Sequence, residues 1–462
     1  MIIPEAERIF YHLYPLGFCG AARRNDFASP AGTGLRAIAG HIPRLRDLGV
    51  NALYLGPLFE SIAHGYDTLD YYWVDRRLGT NGDLKALVQA FHEAGIMVIL
   101  DGVFNHTGRR FFAFRDLQEK REASAYRDWF SQVDFSRPGP AGDPFCYEGW
   151  NGCYDLIKLN GHNRNVREYL LGAVRFWIDE FDIDGLRLDA ADLLLPDFME
   201  ELNRVCTSSK PGFYLLGEVI HGDYRHWAAP GRLDSVTNYE LYKGLWSSLK
   251  DHNFFELAWT LNRQFGTEGL YRDLLLYNFV DNHDVNRVAS ILNNEAQLFP
   301  LYGLLFTVPG IPSIYYGSEY GVRGEKQGHS DAALRPAWES LQADSADGTG
   351  TPAALFATIR RLAALRRGSR VLREGSYREL YKSPEQFAFM REVPGERVLA
   401  AVNISEGPAV LRIPGNILGI GPGRWRDLLD GASFTADSGG LTIPLDPSWL
   451  RVLVLAEREY PC

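Results

Sequence analysis

The 462-residue chain predicts an α/β protein built on a (β/α)8 TIM barrel, with a long insert after the third strand and an all-β domain at its C-terminal end. Three observations carry this expectation. Short apolar runs alternate with helix-patterned segments until eight strands are counted, the alternation breaks between residues 107 and 160, and it stops after about residue 368. Strands alternating with helices pair in parallel, and eight such units imply a closed barrel.

The eight strand candidates are Ile9–Tyr14, Ala52–Leu55, Met97–Leu100, Gly185–Asp189, Phe213–Leu216, Ser235–Thr237, Leu275–Val280 and Ser313–Tyr316. Between them, Asp83–Gly95 reads as a helix begun by Asp83 and stopped by Gly95, and Arg167–Phe181 repeats its apolar residues at the same spacing. The stretch 107–160, with RPGPAGDP and EGWNGCYD, reads as irregular, and a loop of that length is expected to be functional or a small subdomain. After residue 368, short apolar runs such as Arg397–Val402, Val410–Ile413 and Leu450–Leu455 are separated by turns such as IPGN and DGAS. The expected domains are therefore 1–106 and 161–368 for the two parts of the barrel, 107–160 for the insert and 369–462 for the all-β unit.

A net charge of −10 argues against nucleic acid and anionic membrane as partners, because both require a basic face. No stretch is long and uncharged enough to span a bilayer, and the N-terminus MIIPEAERIFYH lacks a basic start followed by an apolar run. The five cysteines (19, 146, 153, 206 and 462) show no metal-ligand spacing. Cys146 and Cys153 could bridge a loop, but free thiols and a cytoplasmic location are expected.

Barrels of this kind build their sites from residues at the C-terminal ends of the strands. The third strand runs into DGVFNH, with Asp101, Asn105 and His106; the fourth into GLRLDAAD, with Arg187 and Asp189. The fifth ends at Glu218 in GEV, and the seventh runs into FVDNHD, with Asp281, His283 and Asp284. Arg187 and Asp189 are two apart and share a strand face. Taken alone they are as well explained by a structural ion pair as by catalysis, but four acid- or imidazole-bearing strand ends at one rim favour a catalytic cleft. The chain lacks HExxH-type metal spacing, a nucleophile elbow, GxGxxG and a P-loop. Glycoside hydrolysis fits the acids best: one carboxylate attacks while another, kept protonated, serves as acid. Arg187 is expected to keep Asp189 ionised, and apolar surroundings to raise the pKa of Glu218.

These ordered motifs resemble the alpha-amylase superfamily of glycoside hydrolases over roughly residues 8–368. LYLGPLFES followed by HGYDTLDYY, and GIPSIYYGSEYG at the eighth strand, extend the likeness. The resemblance implies a TIM barrel with an inserted B subdomain after the third strand and a C-terminal antiparallel β-sandwich. It implies Asp189 as nucleophile, Glu218 as general acid/base and Asp284 as the third acid holding sugar hydroxyls. It further implies that His106, Arg187 and His283 bind the sugar and that Tyr66 is an aromatic platform beneath it, although Tyr66 could simply pack under its loop. Asp101 and Asn105 are implied as supports of the rim. Trp150 and Tyr154 are equally readable as subsite lining and as core of the insert.

The run LIKLN at 156–160 is similar to a stretch typical of the neopullulanase and cyclomaltodextrinase group, matching at Lys158, Leu159 and Asn160. The expected activity is retaining hydrolysis of α-1,4-glucosidic bonds in cyclodextrins and maltooligosaccharides. The alternatives are an endo-acting alpha-amylase on starch, an α-glucan transglycosylase, or a non-catalytic amylase-like binding protein. Departures exist: Asp192 and Leu193 stand where many starch-type amylases carry Lys-His, and Ile220 where many neopullulanase-like enzymes carry Trp. The first strand begins by residue 9, so dimerisation through the group's N-terminal β domain is not expected. No cofactor is expected for the chemistry, and a structural calcium is possible but unsupported, since only Asn105 of its family ligands can be placed.

Overall fold

The computed structural model of the protein describes residues 2–328, 330–345, 350–419 and 421–455. Eight parallel strands form the barrel: β1 Phe10–Leu13, β2 Ala52–Leu55, β3 Met97–Gly102, β4 Gly185–Leu188, β5 Tyr214–Gly217, β6 Ser235–Val236, β7 Tyr277–Asn278 and β8 Ile311–Tyr315. Their order in the sheet is β7-β8-β1-β2-β3-β4-β5-β6, and a parallel bridge between Thr237 and Tyr277 joins the two ends.

Period-two alternation sorts the strand residues. Phe10, Ala52, Tyr54, Met97, Ile99, Tyr214, Leu216, Tyr277, Phe279 and Ile311 form one buried cluster. The alternate residues Tyr11, Leu53, Leu55, Val98, Leu100, Leu186, Leu188 and Leu215 pack in the main core with the helices. The second strand has its expected bounds, and the others differ from the sequence expectation by one or two residues at their ends. β7 shrinks most, from Leu275–Val280 to Tyr277–Asn278. The closing seam is held largely by side chains: Asn238 Nδ2 donates to Asn278 Oδ1 (3.0 Å), and Ser235 Oγ donates to Leu275 O (2.6 Å).

The two expected helices begin earlier than their apolar stripes suggest, because their caps do. In the helix Asn81–Glu93, Thr80 accepts from the Asp83 N–H while Asp83 reaches back to Thr80, a reciprocal capping box. In the helix Arg164–Phe181, Asn163 accepts from Asn165 and Val166 and so supplies two donors with partners.

The insert is not irregular. It contains a helix, Phe112–Lys120, and an antiparallel sheet of His106–Gly108, Cys153–Lys158 and Gly149–Trp150. Its central pairing joins residues some fifty positions apart, which no local periodicity reveals. Arg109 clamps the far loop through two 2.8 Å bonds to Asp143.

Beyond the helix Gly350–Gly368 and a short helix Arg370–Glu374, eight strands make the C-terminal unit: β9 Ser376–Lys382, β10 Gln386–Val393, β11 Glu396–Asn403, β12 Ala409–Pro414, β13 Gly423–Asp427, β14 Ser433–Ala436, β15 Gly440–Leu445 and β16 Trp449–Leu455. One sheet has the order β9-β10-β11-β16-β13-β14, and β12 pairs with β15 in a second. Alternation again divides the work. Ala388, Met390, Leu399 and Ala401 cluster with Leu411, Ile413, Leu441 and Ile443 inside the sandwich, whereas Phe387, Phe389, Ala400 and Val402 join the main core with the barrel.

The described cysteines Cys19, Cys146, Cys153 and Cys206 are free thiols; Cys462 lies outside the described residues. Among the described residues, no helix is long and apolar enough to cross a membrane.

Candidate active site

Strand register builds the site. Asp101 of β3 pairs with Arg187 of β4, and Arg187 pairs with Leu216 of β5. Two residues on from Arg187 and Leu216 stand Asp189 and Glu218, which therefore occupy one level on neighbouring strands, where strand spacing is about 5 Å. Side-chain contacts agree. Arg187 Nη1 donates to Asp101 Oδ1 (2.9 Å) and Asp189 Oδ1 (3.0 Å), and its Nη2 lies 2.7 Å from Glu218 Oε1. One buried guanidinium thus gathers three carboxylates.

The backbone beyond β4 contributes too. Ala190 adopts φ 44°, ψ 46°, a left-handed turn uncommon for a residue with a Cβ, and its N–H donates to Glu218 Oε2 (3.1 Å). Gly217 at the end of β5 lets Leu233 pack close: a Cβ there would lie 2.5 Å from Leu233 Cδ1, and that side chain would have to move.

Opposite this pair, Asp284 is held by a guanidinium and an imidazole. Arg335 Nη2 donates to Asp284 Oδ1 (2.9 Å), and His283 Nε2 lies 3.0 Å from Asp284 Oδ2. Arg335 Nε also donates to His283 O (3.0 Å), which fixes the turn carrying both residues. Tyr66 stacks on His283 with ring centroids 5.4 Å apart, donates to Asp101 Oδ2 (3.0 Å) and is hydrogen-bonded to His283 Nε2. His106 brings Nε2 to 3.8 Å from Asp189 Oδ2, has no other partner for that buried nitrogen, and lies 5.6 Å from the Trp150 ring of the insert.

The electrostatics revise one expectation. Burial, reinforced by Glu218, Asp101 and Asp284, outweighs the opposing pull of Arg187, so the Asp189 carboxyl sits well above the usual range rather than being kept fully ionised by the cation. Burial raises Glu218 as well, again against Arg187. Acid and nucleophile chemistry requires one of these two carboxyls to hold a proton while the other is ionised. Burial would also raise Asp284, but His283, Arg335 and Arg187 reverse the effect and hold that carboxyl well below the usual range. Burial drives His106 down to about 3, leaving a neutral ring able to bind a hydroxyl.

The structure brings together all seven residues singled out for catalysis and sugar contact: Asp189, Glu218, Asp284, Tyr66, His106, Arg187 and His283. Asn105 stands behind the rim, its Nδ2 3.2 Å from His106 Nδ1. Sequence reasoning missed four neighbours. His12 stacks on Tyr54 at 4.2 Å, and Tyr54 donates to Asp101 Oδ2 (2.8 Å); period two along β1 and β2 could have found both. Tyr239 and Arg335 come from loops and helix starts without periodicity, and nothing local marks them.

Calcium requires six to eight oxygen ligands, usually with carboxylates among them. The cavity beside Asn105 is lined by residues including Ser131, Leu159, Asn160 and Leu193 and by no carboxylate. Among the described residues, no group of three or more His, Cys, Asp or Glu could hold a metal ion.

A (β/α)8 barrel with two buried carboxyls on adjacent strand ends and a third, cation-held acid facing them is the arrangement of a glycoside hydrolase. The chain belongs to the alpha-amylase family: the family described as "Alpha amylase, catalytic domain" matches residues 12–353. It is 33% identical over 432 residues to a cyclomaltodextrinase of Bacillus sp., covering 88% of this chain and 74% of that one. It is 31% identical to neopullulanase 2 of Thermoactinomyces vulgaris, over 96% of this chain and 76% of the other. A solved cyclomaltodextrinase superposes with a TM-score of 0.85 at 28% identity, over 99% of this chain and 79% of that one.

Proposed function

We propose that the protein hydrolyses α-1,4-glucosidic bonds of cyclodextrins and maltooligosaccharides with retention of anomeric configuration. The observation that carries this reading is the convergence of Asp189 and Glu218, on adjacent strand ends, on the single guanidinium of Arg187, which holds the two acids side by side as direct displacement at the anomeric carbon requires. Glu218 donates its proton to the glycosidic oxygen as Asp189 attacks the anomeric carbon; the C–O bond breaks and a glucosyl ester forms on Asp189. Glu218, now a carboxylate, takes a proton from water, whose oxygen displaces Asp189 and restores both groups. Asp284, anchored by His283 and Arg335, accepts hydrogen bonds from sugar hydroxyls. Tyr66 provides the apolar face beneath the ring, and His106 binds a further hydroxyl.

The substrate class is supported by the names of the relatives above and by the Lys158-Leu159-Asn160 match in the insert. The chemistry is complete with carboxylates, imidazoles and water, so no cofactor enters the proposal. A reducing compartment is supported by the free thiols, and we place the protein in the cytoplasm. Side-by-side product analysis on β-cyclodextrin, pullulan and soluble starch tests the reading: rapid ring opening with slow starch cleavage is expected. Fast random starch cleavage would make the protein an endo-amylase, and products longer than the substrate would make it a transglycosylase.

A further inference from the structure

The acid Glu218 and the third acid Asp284 are linked by side chains that the mechanism above does not use. Asn282 Oδ1 accepts the Asp284 N–H (2.8 Å), Asn282 Nδ2 donates to Tyr239 Oη (3.1 Å), and Tyr239 Oη lies 3.4 Å from Glu218 Oε1. The direction of the chain is determined at its start. A backbone N–H can only donate, so the amide must turn its oxygen to Asp284 and its NH2 to Tyr239. The Tyr239 oxygen then accepts from Asn282, and its own hydrogen is left to point at Glu218.

We propose that Asn282 and Tyr239 are positioning residues that place the catalytic proton of Glu218 on Oε2. Oε1 lies 2.7 Å from the cationic Arg187 Nη2 and 3.4 Å from the Tyr239 Oη that donates to it, so both neighbours favour negative charge on that oxygen. Oε2 receives only the Ala190 N–H at 3.1 Å and keeps one lone pair for the proton. This assignment rests on Glu218 being the general acid. It adds which oxygen delivers the proton, and it ties the acid's orientation to the turn that carries Asp284. The charged and titratable groups facing Glu218 are Arg187 and Asp189 of the β4 end, His283 and Asp284 beyond β7, and Tyr239 itself. Among them, Asn282 bonds the Tyr239 hydroxyl through its side-chain NH2 and the backbone N–H of Asp284 through its side-chain oxygen. The Tyr239 ring is held independently of its hydroxyl, edge-on to Phe279 at 5.0 Å and to Tyr242 at 6.0 Å, so its phenylalanine variant keeps its packing.

The test compares Tyr239→Phe, Asn282→Ala, the double variant and Glu218→Gln on two substrates. One is maltotriose, whose leaving sugar needs a proton; the other is an aryl α-maltoside with an acidic phenol, whose leaving group does not. Each single variant is expected to lose about 10- to 100-fold in kcat on maltotriose and less than about 3-fold on the aryl maltoside, with KM little changed. Losing a donor to the carboxylate should move the alkaline limb of kcat/KM upward by about half a pH unit. The double variant should be no worse than the poorer single one, because both act through one hydrogen bond. Equal losses on both substrates, an unmoved alkaline limb, or single losses that multiply in the double variant would overturn the proposal. Should Asn282→Ala not fold, Tyr239→Phe alone decides by the same readouts. Glu218→Gln separates the two levels: if it shows no dependence on leaving group, the acid assignment falls; if it shows one and the Tyr239 and Asn282 variants do not, only the positioning chain falls.

Discussion

Arg187 and Asp101 form a buried pair on adjacent strands, the guanidinium Nη1 lying 2.9 Å from Oδ1 and 3.1 Å from Oδ2, and this pair orients the guanidinium that meets Asp189 and Glu218. Asp101 takes further donors from Tyr54 and Tyr66. It is a support of the cleft floor, and its loss should act through Arg187. We expect Asp101→Ala to cost about 3–5 kcal/mol of stability, because it leaves a buried cation short of a partner. Chemical denaturation measures this; a change below about 1 kcal/mol would refute the supporting role.

Asp189→Ala should fold and lose at least about four orders of magnitude in kcat. For the unaltered enzyme, proton NMR of the first product should show the α-anomer. Early β-anomer would exclude a double displacement on Asp189.

The raised acids have a stability consequence. A carboxyl whose folded-state pKa lies above its unfolded value binds more protons in the native state, so its contribution to stability is full at low pH and is lost as pH rises through the raised pKa. Both Asp189 and Glu218 behave this way. Glu218→Gln, which removes the charge but keeps the shape, should therefore raise Tm at pH 8 relative to the unaltered protein, and the advantage should shrink at pH 5. Calorimetry at the two pH values checks it, and an advantage that grows toward pH 5 would contradict the shift.

Asp284 has the opposite sign. Its depressed pKa stabilises the native state above the unfolded carboxyl value, and that contribution is lost as pH falls toward the depressed one. Arg335→Ala removes one of the cations responsible, so the Asp284 pKa should rise. The acid limb of kcat/KM should move to higher pH, with kcat/KM falling about 10- to 100-fold. A pH–rate profile with an unchanged acid limb would show that Arg335 does not act on Asp284.

The seam between barrel and sandwich rests on two buried arginines that bond carbonyl oxygens. Arg391 Nη1 donates to Thr307 O (2.6 Å) and Nη2 to Gly375 O (2.7 Å), and Arg366 Nη1 donates to Phe306 O (3.0 Å). These carbonyls include the last turn of the helix Leu298–Thr307, the negative end of its dipole. Arg391→Leu should lower stability by about 2–4 kcal/mol through orphaned carbonyls, with kcat nearly unchanged in the folded fraction. Thermal unfolding together with activity below Tm would test it.

By itself the sequence determined the barrel, the acid-bearing strand ends and the all-β terminus, because each rests on local periodicity: period two places Arg187 with Asp189, and apolar strand ends place Glu218. The tertiary structure decided what depends on residues distant in the chain. The insert's sheet joins His106–Gly108 to Cys153–Lys158; Arg335 reaches Asp284 from a loop fifty-one residues on; and Tyr239 meets Glu218 through the hydrogen of one hydroxyl. The charge states were likewise undecidable from motifs. One cation beside one acid suggests an ionised carboxylate, but burial together with three other carboxylates reverses that sign, and only the packed fold sets how much water each carboxyl loses.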